Sequence, residues 1–528
     1  MKNQKTQVWL PLILSLAMIA GIFIGFKMRD GMSGRNFFAL EKQTPVEEIM
    51  SLIKNKYVDE VNINSLADTA IEAMLHKLDP HSVYIPANEL EDINDGIQGS
   101  FYGIGIEFEI YKDTINVIHV IKDGPGAKAG LISGDKIIKA NDLSIAGKKI
   151  GTDSIRSLLR GNRGSKLEVD ILRNSKILHM PITRNIISIS SVDAFYMMDK
   201  STGYIRIDKF STQTYHDFMG ALVELKKQGL QKLILDLRDN GGGVLDEAIE
   251  IADEFLDADK LITYTEGKHS PKKEFRCRRL GQFEKGKLVI MCNEGSASAS
   301  EVLMGALQDW DRATIVGRRS FGKGLVQEQY DLSNNAALRL TIARYYTPIG
   351  RSIQRSYANG SAAYYEEIEG RIITDNSAKM DSLNNDTSKL FTTPSGKKLY
   401  GGGGIRPDYF VAADTSSLND IMIKIFSKGT INHLAFQYVL ENKNIFSRYK
   451  TAIEFANTFE LNDVILQQFN QSMLEDSIDI KQIKKEDQLI INQTIKTAIA
   501  RQIWDKQGYF EALNSNDETV KKALEIIK

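Results

Sequence analysis

The chain has 528 residues, with 67 basic and 68 acidic side chains, 42% hydrophobic residues and two cysteines. That length is enough for about three to five domains with full-sized buried cores. A formal net charge of −1 argues against a protein dedicated to nucleic acid, and two cysteines exclude a disulfide-stapled scaffold or a four-cysteine zinc module.

The first predicted element is an uncharged apolar segment from Val8 to Phe26, followed by Lys27 and Arg29. It is long enough for a helix to cross the roughly 30 Å hydrocarbon core of a bilayer. A secretory signal has a shorter apolar region and a small-residue cleavage site, and no clear site follows here. We therefore expect residues 1–29 to form an N-terminal membrane anchor, with a cleaved signal segment as the alternative.

Residues 40–98 and 99–185 differ in their patterns. In the first segment apolar residues recur at helical spacing, as in PVEEIMSLIKNKYV, which predicts a helical N-terminal region. In the second, short β-rich runs such as TINVIHVI and KLEVDILR alternate with glycine turns, and one helix fits SIRSLLRG. The second segment is therefore predicted to be a small, mainly β domain.

Residues 186–412 alternate strands and helices, which indicates an α/β core with a largely parallel sheet. Buried strands are predicted in LQKLILDLR and KLVIMCN, and helices in VLDEAIEIADEFL and SASEVLMGALQDW. The polar stretch 357–400 interrupts this pattern and is predicted to be a surface insertion. Residues 413–528 are helical and charged, which predicts a separate helical tail.

Three serines lie where the strand KLVIMCN gives way to the next helix: Ser296, Ser298 and Ser300. Unpaired N–H groups and the positive dipole end at a helix N-terminus stabilise a developing oxyanion. Serines at this position are also ordinary helix caps. This stretch alone leaves both interpretations open.

The stretch GRRSFGKGLVQ, 317–327, matches a phosphate-binding loop except at Gly324, where a Ser or Thr would hold Mg²⁺. A strand-like pattern follows, whereas a phosphate loop opens a helix, so an ATPase is disfavoured. Burial instead lowers the pKa of a lysine such as Lys323 and leaves a neutral amine that deprotonates a serine. None of the seven histidines accompanies either motif, although spacing does not exclude a Ser-His-Asp triad, which assembles in space.

A third stretch, LILDLRDNGGG at 233–243, runs from a buried strand into three glycines. Such a turn presents backbone N–H groups to an anion, or is simply a structural turn between a strand and a helix. Asp236 and Asp239 do not make a metal site by themselves, because no His or Cys cluster accompanies them.

Together and in this order, the motifs resemble the C-terminal processing peptidases, also called tail-specific proteases. The resemblance runs from LDPHSVYI (78–85) to GGGGIRPDYF (401–410). It implies a mixed α/β and β multidomain fold: an α/β protease core with ClpP/crotonase-like layers, an inserted PDZ domain, and helical N- and C-terminal regions. DGPGAKAGLISGDKIIKANDLSI (123–145) resembles the PDZ signature. The loop GIGIEFE resembles the carboxylate-binding loop of that domain and supplies the peptide-binding residues Gly103, Ile104, Gly105 and Ile106.

The resemblance also assigns the catalytic roles. It places the nucleophile at Ser298 and the general base at Lys323, with Gln327 beside the lysine amine. The oxyanion donors would be the N–H groups of Ala299 and Gly242. The stretch YYTPIGRSIQ (345–354) matches another family segment beside the active site. No metal or organic cofactor is implied.

The predicted function is a membrane-anchored or exported serine endopeptidase that binds protein C-termini through its PDZ domain and cleaves the tail. The expected partners are protein substrates with accessible C-terminal tails and a membrane, but no nucleic acid. An adaptor or a homo-oligomer is left open. The expected location is the bacterial inner membrane, with the catalytic part in the periplasm.

The alternative function is a non-catalytic, membrane-anchored PDZ scaffold, which would have no reason to keep Ser298, Lys323 and Gln327 together. Sequence alone does not decide whether Cys277 and Cys292 form a bridge.

Overall fold

A computed structural model describes residues 9, 11, 14–22, 24, 44–373, 390–414, 419–480 and 483–528. The chain divides into two compact units, residues 1–73 and 74–528. The fold class predicted from the sequence, a mixed α/β and β protein with helical terminal regions, is confirmed.

The first unit is helical. It contains the helix Pro45–Lys56 and most of the helix Ile63–Leu75. Thr44 caps the first helix, because the backbone N–H of Glu47 donates to Thr44 Oγ1 (3.4 Å) and Glu47 Oε2 accepts from the N–H of Thr44 (2.8 Å).

The predicted anchor Val8–Phe26 is described only in part. Its residues 8, 10, 12–13, 23 and 25–26 lie outside the described residues, and its other residues are helical. Among the residues that the structure describes, no helix is long and apolar enough to cross a membrane.

The segment 40–98, predicted to be a helical region, also contains a short strand. Val83–Ile85 pairs antiparallel with the start of the long strand Ala337–Tyr346, and the helix Ala87–Gln98 follows it. This strand was not predicted, because a run of only three residues is too short to show alternation.

Residues 100–188 form a β domain that is joined to the core by a two-stranded ribbon. The ribbon pairs Ser100–Gly103 antiparallel with Asn185–Ser188. Between them come the strands and helices Ile106–Tyr111, Thr114–Val120, Pro125–Ala129 (helix), Lys136–Ala140, Leu143–Ser144, Thr152–Leu159 (helix), Lys166–Arg173 and Lys176–Thr183. Leu167, Val169 and Ile171 are fully buried at every second position, as expected for a strand with one face on the core.

The α/β core is built on a six-stranded sheet. Its strands, in spatial order, are Val192–Met197, Thr202–Ile207, Lys232–Asp236, Lys287–Cys292, Thr314–Gly317 and Tyr409–Phe410. All neighbours are parallel except the first two. One face packs on the helices Thr214–Lys227, Leu245–Asp253 and Ala299–Asp309. Because parallel strands are covered on both faces, they read as continuous apolar runs, which is why the sequence predicted them well.

A second sheet crosses the same region and carries the segment after Lys323. The long strand Ala337–Tyr346 pairs on one side with Leu325–Asp331. On its other side it pairs with Val83–Ile85 and then with Leu261–Glu266, which in turn pairs with Lys273–Arg276.

Both cysteines, Cys277 and Cys292, are buried and unbridged.

The stretch 357–400, predicted to be a polar surface insertion, is partly buried. Its helix Ser361–Ile373 inserts Tyr364 and Arg371, which are 2% and 8% exposed. Leu390–Thr392 and Lys398–Tyr400 form a two-stranded hairpin, and residues 374–389 lie outside the described ranges. Most described residues of the helix are exposed or half-buried, but Arg371 anchors it by donating to the carbonyl of Ser320 (2.9 Å).

The helical tail has two parts. An apolar core of their own is formed by the long helix Lys485–Asn514, mainly its first half, and by the helices Asp420–Ser427, Thr430–Glu441, Lys443–Phe446, Ala452–Thr458 and Asp463–Glu475. The last helix, Glu518–Ile527, instead buries Val520, Ala523 and Ile527 on the second face of the central sheet. The sequence predicted a separate tail. The structure instead attaches the tail to the core, because its last helix covers an apolar face of the sheet that would otherwise meet water.

A buried ion pair joins the end of helix Ala299–Asp309 to the turn after the long strand. Arg351 and Asp309 are 1% and 0% exposed, and Arg351 Nη2 lies 2.5 Å from Asp309 Oδ1. We predict that Asp309→Ala lowers the free energy of unfolding by about 3–5 kcal/mol, because it leaves a buried, unpaired guanidinium. Urea unfolding measures the change. Glu224→Ala, which breaks an exposed pair with Lys227, serves as the control, and an equal effect of the two substitutions would contradict the prediction.

Candidate active site

The loop before helix Ala299–Asp309 separates the roles of the three serines. Ser296 Oγ donates to the carbonyl of Leu237 (2.7 Å), and Ser300 Oγ donates to the carbonyl of Asn240 (3.0 Å). Both side chains are fully buried and hold the loop to the preceding strand. Ser298 instead lines a cavity of about 490 Å³.

The backbone at Ser298 is strained. Its φ of 55° and ψ of −115° lie in a region that side-chain-bearing residues rarely occupy. Such a conformation costs of order 1–3 kcal/mol and persists only where the surroundings enforce it. Here it places Ser298 at the N-terminus of a helix, where the N–H of the next residue, Ala299, has no acceptor among the described residues.

Glu301 holds the serine loop and the lysine loop together. Its Oε2 accepts from the backbone N–H groups of Ser298 (2.9 Å) and Lys323 (2.8 Å). Its Oε1 accepts from the backbone N–H of Gly322 (2.7 Å) and from Ser320 Oγ (2.5 Å). Burial raises the pKa of this fully buried carboxyl to about 7, although the four hydrogen bonds oppose the shift.

Lys323 extends into the same cavity as Ser298. Its Nζ donates to Gln327 Oε1 (2.9 Å), and Gln327 Nε2 donates to the backbone carbonyl of His81. Burial and then the charge of Arg339 lower the pKa of Lys323, while Glu301 acts against them. The geometry thus holds the amine and favours its neutral form. Among the described residues, no direct hydrogen bond joins the side chains of Ser298 and Lys323.

His81 lies near the lysine but outside the cavity. Its Nε2 lies 2.9 Å from the Tyr364 hydroxyl, and burial and then Lys323 lower its pKa to about 4. None of the described residues that line the cavity is a histidine. His81 therefore contributes its backbone carbonyl rather than its ring.

Tyr345 contacts both the serine loop and the lysine loop. Its hydroxyl lies 3.0 Å from the carbonyl oxygen of Ser298 and also contacts that of Lys323. Burial raises the pKa of Tyr345 well above its usual value, so the hydroxyl keeps its proton for donation.

The glycine loop after strand Lys232–Asp236 packs against Ser298. A Cβ at Gly242, where φ is 95°, would come within 2.7 Å of the carbonyl oxygen of Ala297, 2.8 Å of Ser298 Cβ and 2.9 Å of Ala299 N. The N–H of Gly242 itself donates to Asn240 Oδ1 (2.9 Å). An oxyanion would have to compete with that acceptor, so the predicted role of Gly242 as a donor stays a prediction, whereas its close approach to the serine is present.

The β domain offers a groove for an extended peptide. The strand Ile106–Tyr111 pairs with Thr114–Val120 along one side and ends the sheet on the other. A cavity of about 110 Å³ lies between this strand and the helix Thr152–Leu159. Gly103, Ile104, Gly105 and Ile106, the predicted peptide-binding residues, all line it. Arg160, also in its lining, binds Asp92 and lies 3.4 Å from Asp95 on the helix Ala87–Gln98.

Neither a phosphate-binding loop nor a metal site is found among the residues that the structure describes. The stretch 317–324 leads into the strand Leu325–Asp331, as the sequence predicted, and not into the helix that a phosphate loop requires. Within the part of the chain that the structure describes, no group of three or more His, Cys, Asp or Glu side chains is arranged to hold a metal ion.

The five residues that the family resemblance assigned to the active site, Ser298, Ala299, Lys323, Gln327 and Gly242, all line one cavity, but Glu301 was not predicted. The sequence nevertheless contains a pattern that indicates a role for Glu301. Ser298 followed by Glu301 at the third position is the capping-box pattern. The resemblance placed the stretch that begins at Tyr345 beside the active site, but the contacts of Tyr345 and of the His81 carbonyl depend on how distant segments meet at the second sheet, which local sequence does not show.

Sequence profiles of known families match four parts of the chain. They are peptidase family S41 at 201–360, a PDZ domain at 103–183, the N-terminal domain of the activating protease CtpB at 28–89, and a family of unknown function at 421–505.

Curated relatives match about two thirds of the chain. The carboxy-terminal-processing protease of Bartonella bacilliformis is 37% identical over 346 residues, which is 64% of this chain and 79% of the relative. The probable CtpA-like serine protease of Staphylococcus epidermidis is 32% identical over 362 residues, which is 67% of this chain and 72% of the relative. Among solved structures, the photosystem II D1 C-terminal processing protease is 26% identical, with 70% of this chain and 86% of that chain covered and a TM-score of 0.37.

Two adjacent glycines provide a matched test of the site. We predict that Gly242→Ala lowers kcat/KM about 100-fold or more, because the added methyl displaces Ser298 and Ala299. Gly241→Ala is the control, since a Cβ there meets no atom within 4 Å and its φ is not positive. Peptide cleavage assays on both variants, with circular dichroism to verify folding, give the comparison. Similar activities for the two variants would contradict this description of the loop.

Proposed function

The chain belongs to the carboxy-terminal-processing proteases of peptidase family S41 and is a serine protease, and we propose that it cleaves the C-terminal tails of proteins with Ser298 as nucleophile and Lys323 as general base. The observation that carries the proposal is the cavity that both side chains line, with Glu301 bound to the backbone N–H of each.

In the first step, neutral Lys323 takes the proton of Ser298 Oγ, and the oxygen attacks the scissile carbonyl carbon. The Gln327 side chain, bonded to Nζ, holds the amine in place while the proton moves. A tetrahedral intermediate forms, with negative charge on the former carbonyl oxygen.

That oxyanion is stabilised at the helix N-terminus. The unengaged N–H of Ala299 is one donor, and we assign the second to the glycine loop, at Gly242 after its bond to Asn240 is released. A donor of this kind contributes about 2.7–4 kcal/mol to transition-state stabilisation. The Lys323 ammonium then returns its proton to the leaving amine. A water molecule, deprotonated by Lys323, hydrolyses the acyl-enzyme and restores Ser298.

The PDZ domain supplies the substrate. The open edge of Ile106–Tyr111 accepts a peptide as an additional antiparallel strand, and the backbone N–H groups around Gly105 receive its terminal carboxylate. Protein substrates with unstructured C-termini are therefore the expected partners.

A non-catalytic scaffold would account for the PDZ groove but not for the cavity that Ser298 and Lys323 line. A strained Ser298 and a buried Lys323 with a lowered pKa each cost free energy. A protein that only bound peptides would gain nothing from either feature.

We also propose that residues 8–26 hold the catalytic part at the outer face of the bacterial inner membrane. The uncharged apolar run supports this location. Fractionation of cells that express the full chain tests it: the protease is expected in the membrane fraction and accessible from the periplasm, and recovery in the cytosol would contradict it.

The dyad is tested by Ser298→Ala and Lys323→Ala. Both variants are expected to lose cleavage of a protein with a disordered C-terminal tail, while they bind its C-terminal peptide as the wild type does, because the groove is separate from the cavity. In the wild type, activity rises with pH as the Lys323 ammonium loses its proton, and burial places this rise below the usual pKa of lysine. Mass spectrometry of the products and fluorescence anisotropy of the peptide give the two readouts. Wild-type cleavage by Ser298→Ala would overturn the assignment of the nucleophile.

A further inference from the structure

The PDZ domain is attached to the rest of the chain by its ribbon, by Arg160, which binds Asp92 on the helix Ala87–Gln98, and by the helical tail. The ribbon consists of two four-residue strands, and an isolated two-stranded ribbon is only marginally stable. The attachment through the tail comes from residues 419–504, here called the helical module.

The module has an apolar core of its own, which includes the fully buried Phe455, Ile465, Ile491 and Ile495. The match to a family of unknown function ends at residue 505, where the long helix Lys485–Asn514 is kinked. The module is a small helical body, and its core also takes in Ala512 from the part of the helix beyond the kink.

The module contacts the outward face of the PDZ edge strand. In Ile106–Tyr111 the side chains of Ile106 and Phe108 pack towards the domain core, so Glu107, Glu109 and Tyr111 point the other way. Arg501 Nη2 lies 3.0 Å from Glu107 Oε2.

A histidine makes the second contact of the module with this strand. His433 binds Glu109 and stacks on Tyr111 with the ring centroids 3.4 Å apart. The peptide edge and the groove between strand and helix are left open by these contacts.

On the other side of the kink the same helix is fixed to the protease core. Asp505 is strained, with φ of 58° and ψ of −153°. The next residue, Lys506, pairs with the buried Asp193 at 2.7 Å. Gln507 then exchanges two hydrogen bonds, of 2.9 and 3.0 Å, with the backbone of Phe195 on the edge strand of the central sheet. One helix therefore connects the PDZ domain to the sheet that carries the active site, with its kink between the two contacts.

We propose that the helical module is a brace that fixes the PDZ groove at a set distance from Ser298 and thereby sets how far from its C-terminus a substrate is cut. An extended peptide advances about 3.3 Å per residue. A PDZ domain that swung by roughly 7 Å would therefore shift the cut by about two residues. This inference rests on the proposed function only for the cutting position, since the brace itself is a property of the fold.

The Arg501–Glu107 pair allows a test by charge reversal. Arg501→Glu and Glu107→Arg each place like charges face to face, and the double variant restores an opposite pair. Lys521→Glu, on the exposed side of the last helix, is the control for a charge change away from the brace. Spin labels on cysteines introduced at the exposed Lys148 and Lys227 report the distance between the PDZ domain and the core, since the native cysteines are buried.

We expect one narrow distance distribution for the wild type, the control and the double variant, and a broadened one for each single variant. The cut sites in a protein with a disordered tail, mapped by mass spectrometry, should follow: one main product for the first three and products that differ by one or more residues for the single variants. The brace proposal would be overturned by single variants that match the wild type in both the distance distribution and the cut sites. It would also be overturned by a double variant whose distance distribution is as broad as those of the single variants. If the wild type cleaves no tail, the proposed function fails, and the distance distributions alone decide the brace.

Discussion

The active site depends on one buried carboxylate, that of Glu301. Removing a carboxylate from water costs several kcal/mol unless hydrogen bonds replace its hydration. Four donors do so here, and two of them are the backbone N–H groups of Ser298 and Lys323. The same contacts therefore stabilise the charge and fix the relative positions of nucleophile and base. Its raised pKa, about 7, means that ionisation of Glu301 reduces folding stability as the pH rises from about 4.5 through 7. The ordered catalytic loops come at a cost in stability.

A second charged network holds the glycine loop from the opposite side of the sheet. Asp236 is fully buried at the end of its strand. Burial raises its pKa, but the guanidinium groups of Arg238 and Arg206 outweigh this and lower the pKa to about 2. Arg238 also pairs at 2.5 Å with Asp517, the N-cap of the last helix. Residues from the end of the chain thus support the loop that packs against the nucleophile. The helical tail is part of the protease as well as a contact for the PDZ domain.

The sequence predicted the strands and helices that are determined by residues close together in the chain. Continuous apolar runs identified the buried parallel strands, and the family resemblance that the three motifs carry pointed to Ser298, Lys323 and Gln327, which line one cavity. Contacts between distant segments were not predictable in this way. The strand Val83–Ile85 exists only because Ala337–Arg339 offers it a partner, and the last helix is placed by the bare face of the sheet. Glu301 is an intermediate case, since its capping-box spacing is local but its bonds to Gly322 and Lys323 are not.

The central claim is that the Glu301 carboxylate makes Ser298 reactive by holding it against the lysine loop. The most direct test is the rate at which a small sulfonyl fluoride modifies Ser298, because such a reagent needs neither the PDZ domain nor a peptide. Intact-mass and peptide-mapping measurements on the wild type should show one adduct, on Ser298, whose rate of formation rises with pH as Glu301 ionises near pH 7 and as Lys323 loses its proton. In Glu301→Gln, two of the four donors would face an amide N–H₂ group, so above pH 7, where the wild-type carboxyl is ionised, the rate should fall about 100-fold, and the rise near pH 7 should be absent. Equal labelling rates in the two proteins would contradict the account.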